Sequence, residues 1–359
     1  MNESGYLIRL DFESPLRIGE PGIGMERSLG YIPSDTLFSA VCVAWATIYG
    51  ERSLEELIDQ FRSDTLFCFS SAFPRLTIEK DGDTKETYYL PRPFLHELLP
   101  EPVLPADKEK ANAIRDEVAK RTKDGTKTYV NMEFFQELVS ERLVDMKAYI
   151  ELDRASRLFR LVHQKHLFPR LSLDRISCQS NLFFCQSVRF GSSEFKERDG
   201  QVRARGGLFF LLRVGSEEVA AKLRSCLDLL GEQGIGGERS LGYGRFKTSG
   251  WDKPRTLFPK VDNPQRFVVL SLYHPSGEER QRIKERGGLL GYQLIRRGGW
   301  IDSPFITGQQ RKKSCFMFEE GSVFDFEPRG EVFDVTPVDR PAIHRIYRSG
   351  IAFAVGVRL

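Results

Sequence analysis

The chain has 359 residues, 53 basic against 50 acidic side chains, 40% hydrophobic content and 27 phenylalanines. That composition excludes a disordered or low-complexity protein, and the length points to two packed domains rather than one. A formal charge of +3 excludes a uniformly polycationic binder, so any site for a polyanion must come from local sorting of charge.

The opening MNESGYLIRL carries no basic segment followed by an apolar stretch, and no apolar run reaches membrane-spanning length. YLIRLDF (6–12) alternates as a short strand. A glycine-rich decamer, GIGMERSLGY (22–31), comes next, and then a helix with Ser34 as N-cap, Asp35 at its positive end and Gly50 as its stop. TLFCFSSAF (65–73) is strand-like. From about 88 to 180 runs a long, mixed, charged segment, read as a large insertion; it contains the helix-former run 108–127 and RLFRLVHQKHLFPRLSLDR (157–175). NLFFCQSVRF (181–190) and GGLFFLLRV (206–214) are expected strands. SEEVAAKLRSCLDLLGEQ (216–233) is expected to be a helix with Val219, Leu223, Leu227 and Leu230 on one stripe. A second decamer, GIGGERSLGY (234–243), leads into the strand-like GYGRFKTSGW. Cys42, Cys68, Cys178, Cys185, Cys226 and Cys315 form no CxxC pair and lie in apolar or strand-like contexts, the pattern of reduced core residues in a cytoplasmic protein.

Without the insertion the order is strand, helix, strand, strand, helix, strand, the split βαβ or ferredoxin-like pattern. In that fold the last strand lies antiparallel beside the first, which brings both decamers to one end of the sheet, above the Ser34 helix. Nine of their ten letters agree, with Met25 against Gly237 the one difference. Glycines permit close backbone approach, arginine offers a planar cationic fork, and a helix N-terminus with free amides suits an anion.

After the proline-punctuated connection 253–264, FVVLSLYHP opens a second α+β unit, which gives domains of 1–255 and 256–359. Its stretch 280–313 holds nine Lys or Arg against Glu285 and Asp302, and 154–175 holds six against Asp174.

Four blocks, GIGMERSLGYIPSDTLFSAV, FPRLSLDR, GIGGERSLGYGRF and RKKSCFMFEEGSVF, together resemble the fourth subunit of Csm-type (type III-A) CRISPR effector complexes, within the repeat-associated mysterious protein (RAMP) superfamily. The resemblance spans both domains but not 97–150, and its type III-B (Cmr) counterpart stays open. It implies two ferredoxin-like, RRM-like domains with a thumb-like insertion in the first. It also implies a non-catalytic subunit without cofactor or metal that holds the 5′ tag of the guide RNA. Its partners would be the large polymerase-like signature subunit and the backbone RAMP subunit. By matching blocks, Gly234, Gly236, Gly237, Gly242 and Gly244 fall on the family's glycine-rich loop, and Arg170 and Arg175 on arginines flanking the thumb.

From the residues themselves, Arg27, Ser28, Arg239 and Ser240 are the leading RNA contacts, because arginine binds phosphate bidentately and stacks on splayed bases. Gly22, Gly24, Ser34 and Arg245 complete that end of the sheet. The competing reading pairs the arginines with Glu26 and Glu238. Arg297 and Lys312 belong to a basic run around GGWIDSPF whose interleaved aromatic suits a single strand. His163 and His166 leave open a second reading, metal-independent cleavage of guide precursors by acid–base catalysis. A helix-surface or RNA-facing pair is the alternative for these histidines. A third reading is a scaffold that binds acidic protein surfaces.

Overall fold

The computed structural model describes residues 4–20, 24–63, 65–94, 129–139, 162–197, 200–251, 258, 261–301, 310–337 and 344–358. Gly22, the run 108–127, most of 97–150 and much of the connection 253–264 lie outside these described residues.

The fold is mixed α+β with mostly antiparallel sheets. β1 (Ser4–Phe12) leads through β2 (Ile18–Gly19) and β3 (Ser28–Leu29) into α1 (Ser34–Tyr49). α2 (Glu51–Ser63), β4 (Phe67–Phe69), β5 (Phe73–Lys80) and β6 (Asp83–Pro91) follow. β7 (Tyr129–Asn131) and α3 (Met132–Val139) precede the long strands β8 (His163–Leu173) and β9 (Ser180–Phe190). β10 (Ser192–Glu197), β11 (Gly200–Val214), α4 (Glu217–Gln233) and β12 (Phe246–Ser249) close the first unit.

The main sheet has the order β12-β1-β11-β5-β6-β7, with β4 and β10 also paired to β11. β1 lies antiparallel between β12 and β11, so the last strand does sit beside the first. The apolar run 208–212 is continuous because both faces of β11 are covered. Leu208, Phe210 and Leu212 join Ile8 and Leu10 beneath α1, α2 and α4. Phe209 and Leu211 point the other way, to Phe73 and to Val268, Phe353 and Val355 of the second unit. In α4, Ser216 caps the Val219 amide, and Leu223, Leu227 and Leu230 are buried as their spacing requires.

The segment 181–190 departs from expectation. It is a strand, but it pairs along its whole length with β8 instead of joining the main sheet. HQKHLFPRLSL is extended and rich in alternating apolar positions, so the two strands form their own ribbon, closed by a turn in which Asp174 accepts from the Ile176 amide at 2.9 Å. β6 also carries the main sheet past residue 88, through Pro91.

In the second unit, β13 (Arg266–Val269) precedes α5 (Gly277–Arg286), β14 (Leu289–Gly291) and the ribbon of β15 (Leu294–Arg297) with β16 (Cys315–Phe318). β17 (Val323–Phe324), β18 (Val332–Asp334), β19 (Tyr347–Ser349) and β20 (Ala354–Val357) follow. Its antiparallel sheet has the order β14-β17-β13-β20. Counting the main strands of each unit, both run second, third, first, last.

Polar side chains tie the units together where α1 begins. The Ser34 amide donates to Ser71 Oγ at 2.9 Å, and Ser34 Oγ accepts from the Leu272 amide at 3.0 Å. Ser34 is therefore a buried junction residue and not the expected N-cap or RNA contact; Pro33 occupies the cap position. Ser71 Oγ in turn donates to Glu320, whose carboxyl burial pushes up to about 7. An unfolded Glu titrates near 4.5, so between the two values the folded chain binds the extra proton. Stability from this group is thus full below about 4.5 and is lost as pH rises through about 7. Glu320→Gln is expected to flatten that slope and add about 2–3 kcal/mol at pH 8. Urea midpoints at pH 5 and 8 check it, and an unchanged slope contradicts it.

Candidate nucleic-acid interface

The two decamers meet on one stretch of chain, residues 15–19. On one edge of that stretch, Ile18 pairs with Leu29 and Gly19 with Ser28. On the other, Arg17 bridges Gly236, and the Gly237 amide donates to Arg17 O at 2.8 Å. Successive peptide groups of an extended chain point to opposite edges, so residues 16–19 can bind both partners at once. The Gly244 amide donates to Pro15 O at 2.8 Å, and the Arg245 amide to Ser14 Oγ at 2.8 Å. β9 joins the same assembly: Leu16 exchanges two backbone bonds with Val188, and Gln186 Oε1 accepts from the Ser28 amide at 3.0 Å.

Identical letters take different shapes here. Ser28-Leu29 is a strand, whereas Arg239–Leu241 is a turn of 3₁₀ helix entered through Glu238 at φ 64°. The neighbours decide the outcome. Ser28 is buried, its Oγ accepting from the Ile18 amide at 3.0 Å and donating to Leu29 O, while Ser240 and Leu241 are exposed. Ser28 is therefore corrected from RNA contact to internal brace. Gly234, Gly236 and Gly244, in and just after the second copy, are demanded by packing. Gly236 has φ 91°, and a Cβ there would stand 2.3 Å from Arg17 O; one on Gly244 would stand 2.0 Å from Ile235 O. Gly234 is similarly crowded by Tyr243 O. Gly242 is exposed at φ 81° in open space, and Gly24 is exposed and unconstrained.

Several arginines sit on or beside this scaffold. Arg27 and Arg245 are exposed, and Arg27 makes no ion pair among the described residues. Arg239 is half-buried on the 3₁₀ turn. Arg17, missed in the sequence, lies along Gly237 and becomes visible as a site residue only once 17 and 236 are paired. Arg170, on β8, reaches Glu238 at 3.1 Å and ties the β8–β9 ribbon to the second decamer. The carboxylate of that decamer is thus engaged by the ribbon. Arg175 sits exposed in the ribbon's tip.

The ribbon carries apolar residues on its outer face. Directly opposed residues share a face, so Leu171 and Leu182, Pro169 and Phe184, Leu167 and Leu173 line one side. All of these leucines and Phe184 are exposed, and Ile176 at the tip is 95% exposed.

Three further expectations are corrected. Arg297 is not a surface cation: it is 5% exposed and forks onto Asp35, with Nε and Nη2 donating at 3.0 and 2.8 Å. Arg348 also donates to Asp35. Burial alone would raise that carboxyl, but the charges of Arg297 and Arg348 and the Arg297 hydrogen bond pull it down to about 2. The amides at the start of α1 are therefore accompanied by an internal carboxylate under the second unit, and no anion seat opens there. Lys312 is half-buried, and its charge acts on Asp35 and Cys42 within the fold. His163 and His166 lie on a strand, not a helix, and three residues apart on a strand point to opposite faces. His163 is packed edge-on against Phe190, and burial drives its pKa down to about 3.

Family comparisons agree with this architecture. The model of the RAMP superfamily matches residues 9–247, and that of the CRISPR Csm4 C-terminal domain matches residues 262–357. A curated relative, CRISPR system Cms protein Csm4 of Thermococcus onnurineus (strain NA1), is 26% identical over 326 residues, 91% of this chain and 91% of its own. Among solved structures, a chain of the Csm3-Csm4 subcomplex in the type III-A CRISPR-Cas interference complex aligns with TM-score 0.56 at 17% identity, covering 99% of this chain and 100% of that one. The Csm1-Csm4 cassette in complex with pppApA aligns with TM-score 0.54 at 20% identity, covering 99% and 98%. No helix among the described residues is long and apolar enough to cross a membrane. With a family model spanning the first unit, the chain belongs to the RAMP superfamily, and its second unit matches the CRISPR Csm4 C-terminal domain.

Proposed function

We propose that this chain is the cytoplasmic, non-catalytic Csm4 subunit of a type III-A CRISPR effector. It holds the 5′ tag of the guide RNA on the surface built by its two decamers. The observation that carries this reading is the docking of both copies on residues 15–19, which groups Arg17, Arg27, Arg239 and Arg245 at one end of the main sheet. Guanidinium forks and exposed glycine backbone suit a single strand, whose phosphates and splayed bases both need contacts. Each unit is read as a ferredoxin-like domain, 1–255 and 256–359, on the shared strand order, with the second helix of the fold missing from the described part of the second unit. The β8–β9 ribbon is the thumb, its apolar face wedging against the guide and Arg170 and Arg175 flanking it. Solved relatives were captured with Csm1 and with Csm3, so the large subunit and the backbone subunit are the partners proposed here. A buried, neutral His163 on the face opposite His166 supports holding RNA over cleaving it.

Replacing Arg27, Arg239 and Arg245 together by alanine is expected to weaken tag-RNA binding about 100-fold and to lower the salt slope by about 2. Fluorescence anisotropy from 50 to 300 mM salt reads both, with thermal unfolding as the folding control. Unchanged affinity and slope in a folded variant would overturn the assignment.

A further inference from the structure

We propose that the β15–β16 ribbon of the second unit carries a separate contact for single-stranded RNA, with bases stacking on Trp300 and Phe316 and phosphates held by Arg296, Arg311 and Lys313. This extends the reading of the chain as an RNA holder to a surface apart from the decamers.

The ribbon sorts its residues by alternation. Arg296 is paired with Phe316 and Leu294 with Phe318, while Ile295 opposes Met317 and Arg297 opposes Cys315. Opposed pairs share a face, so the Ile295 and Arg297 face turns inward, where Met317 and Arg297 are buried. Arg296, Leu294 and Phe316 are left outside, with Phe316 63% exposed. Beyond them Trp300 bridges Arg311, whose guanidinium lies 4.7 Å from the indole centroid, yet the ring remains 52% exposed. The same alternation sends Lys312 inward toward Asp35 and leaves Arg311 and Lys313 exposed.

Two chemistries could cover such a face, and the charge decides between them. The cations of the exposed face are Arg296, Arg311 and Lys313, and residues 292–301 and 310–316 contain no carboxylate. Protein interfaces deplete charge at their centres, whereas a single strand needs aromatic platforms with cations between them.

The test uses intrinsic fluorescence of the full chain titrated with a twelve-nucleotide oligouridylate and with an RNA duplex of equal length. Trp45 is buried and Trp251 half-buried, so Trp300 dominates the part of the emission open to quenching. The single strand is expected to quench saturably, the duplex not, and Trp300→Phe to abolish the signal. Trp300→Ala with Phe316→Ala should weaken oligouridylate binding about tenfold by anisotropy, and Arg296→Glu with Arg311→Glu at least as much. All four side chains are exposed, so folding is expected to persist. No quenching at RNA concentrations that saturate anisotropy overturns the proposal. So does equal response to the duplex, or variants that keep RNA affinity while losing a protein partner. The Arg27/Arg239/Arg245 variant separates the two sites: quenching that survives in it upholds this surface whatever becomes of the decamers. Loss of anisotropy there without a Trp300 signal in the parent upholds the decamers alone.

Discussion

Asp35→Ala is expected to lower stability by about 3–5 kcal/mol. The carboxylate is 3% exposed and is shared by Arg297 and Arg348, which are themselves 5% and 3% exposed. Its removal leaves two guanidinium groups in a low-dielectric junction without their shared carboxylate, and that loss exceeds what the intact cluster contributes. Asp35→Asn keeps the shape and loses the charge, so it should fall between alanine and the parent. Replacing all three residues by apolar ones of similar volume is expected to come out near neutral, since no cation is then stranded. The carboxyl titrates at about 2 when folded against 3.8 when unfolded. Its contribution is therefore present above 3.8 and disappears as pH falls toward 2, giving the parent an acid limb that Asp35→Asn should lack. Urea unfolding across pH 2–7 checks each of these. An alanine variant within about 1 kcal/mol of the parent would contradict the assignment of the cluster.

Gly244→Ala is expected to cost about 4 kcal/mol and to disorganise the second decamer. Gly244 holds φ 74°, and the added methyl carbon would stand 2.0 Å from Ile235 O and 2.7 Å from Ile235 N. Neither atom can yield, because the Ile235 amide donates to Gly244 O at 3.0 Å within the same loop. Gly242→Ala is the matched comparison. Its φ is 81° but its surroundings are open, so only the left-handed backbone penalty of about 1–2 kcal/mol applies. Thermal unfolding of the pair separates strain from collision. RNA affinity should fall with Gly244→Ala well beyond any change with Gly242→Ala.

The frame of the first unit was legible in the sequence because its signals are local. Alternation marks residues 6–12, leucine spacing marks 216–233, and the order of elements places the last strand beside the first. Ser34 and Arg297 read wrongly for a common reason: a serine before a helix and an arginine in a basic run look surface-exposed until a second unit covers them. No local pattern announces that the partner of Asp35 lies more than 260 positions away. For the histidines, HQKH admits a helix-surface or an RNA-facing pair; the extended ribbon removes the helix and splits the two rings between faces. The decamers offer the sharpest case, since near-identical letters became a strand in one copy and a 3₁₀ turn in the other. Tertiary pairing, with Ile18 in the first and Arg17 in the second, overrode any intrinsic preference. α2 was overlooked because its amphipathic run follows Gly50 without a break.

Photocrosslinking of the assembled effector, with 4-thiouridine placed through the 5′ tag of the guide, tests the central claim most directly. The account predicts crosslinks from neighbouring tag positions to peptides holding Arg27 and to peptides holding Arg239 through Arg245. Crosslinks that leave both decamers unmarked while the tag maps to another subunit would contradict it.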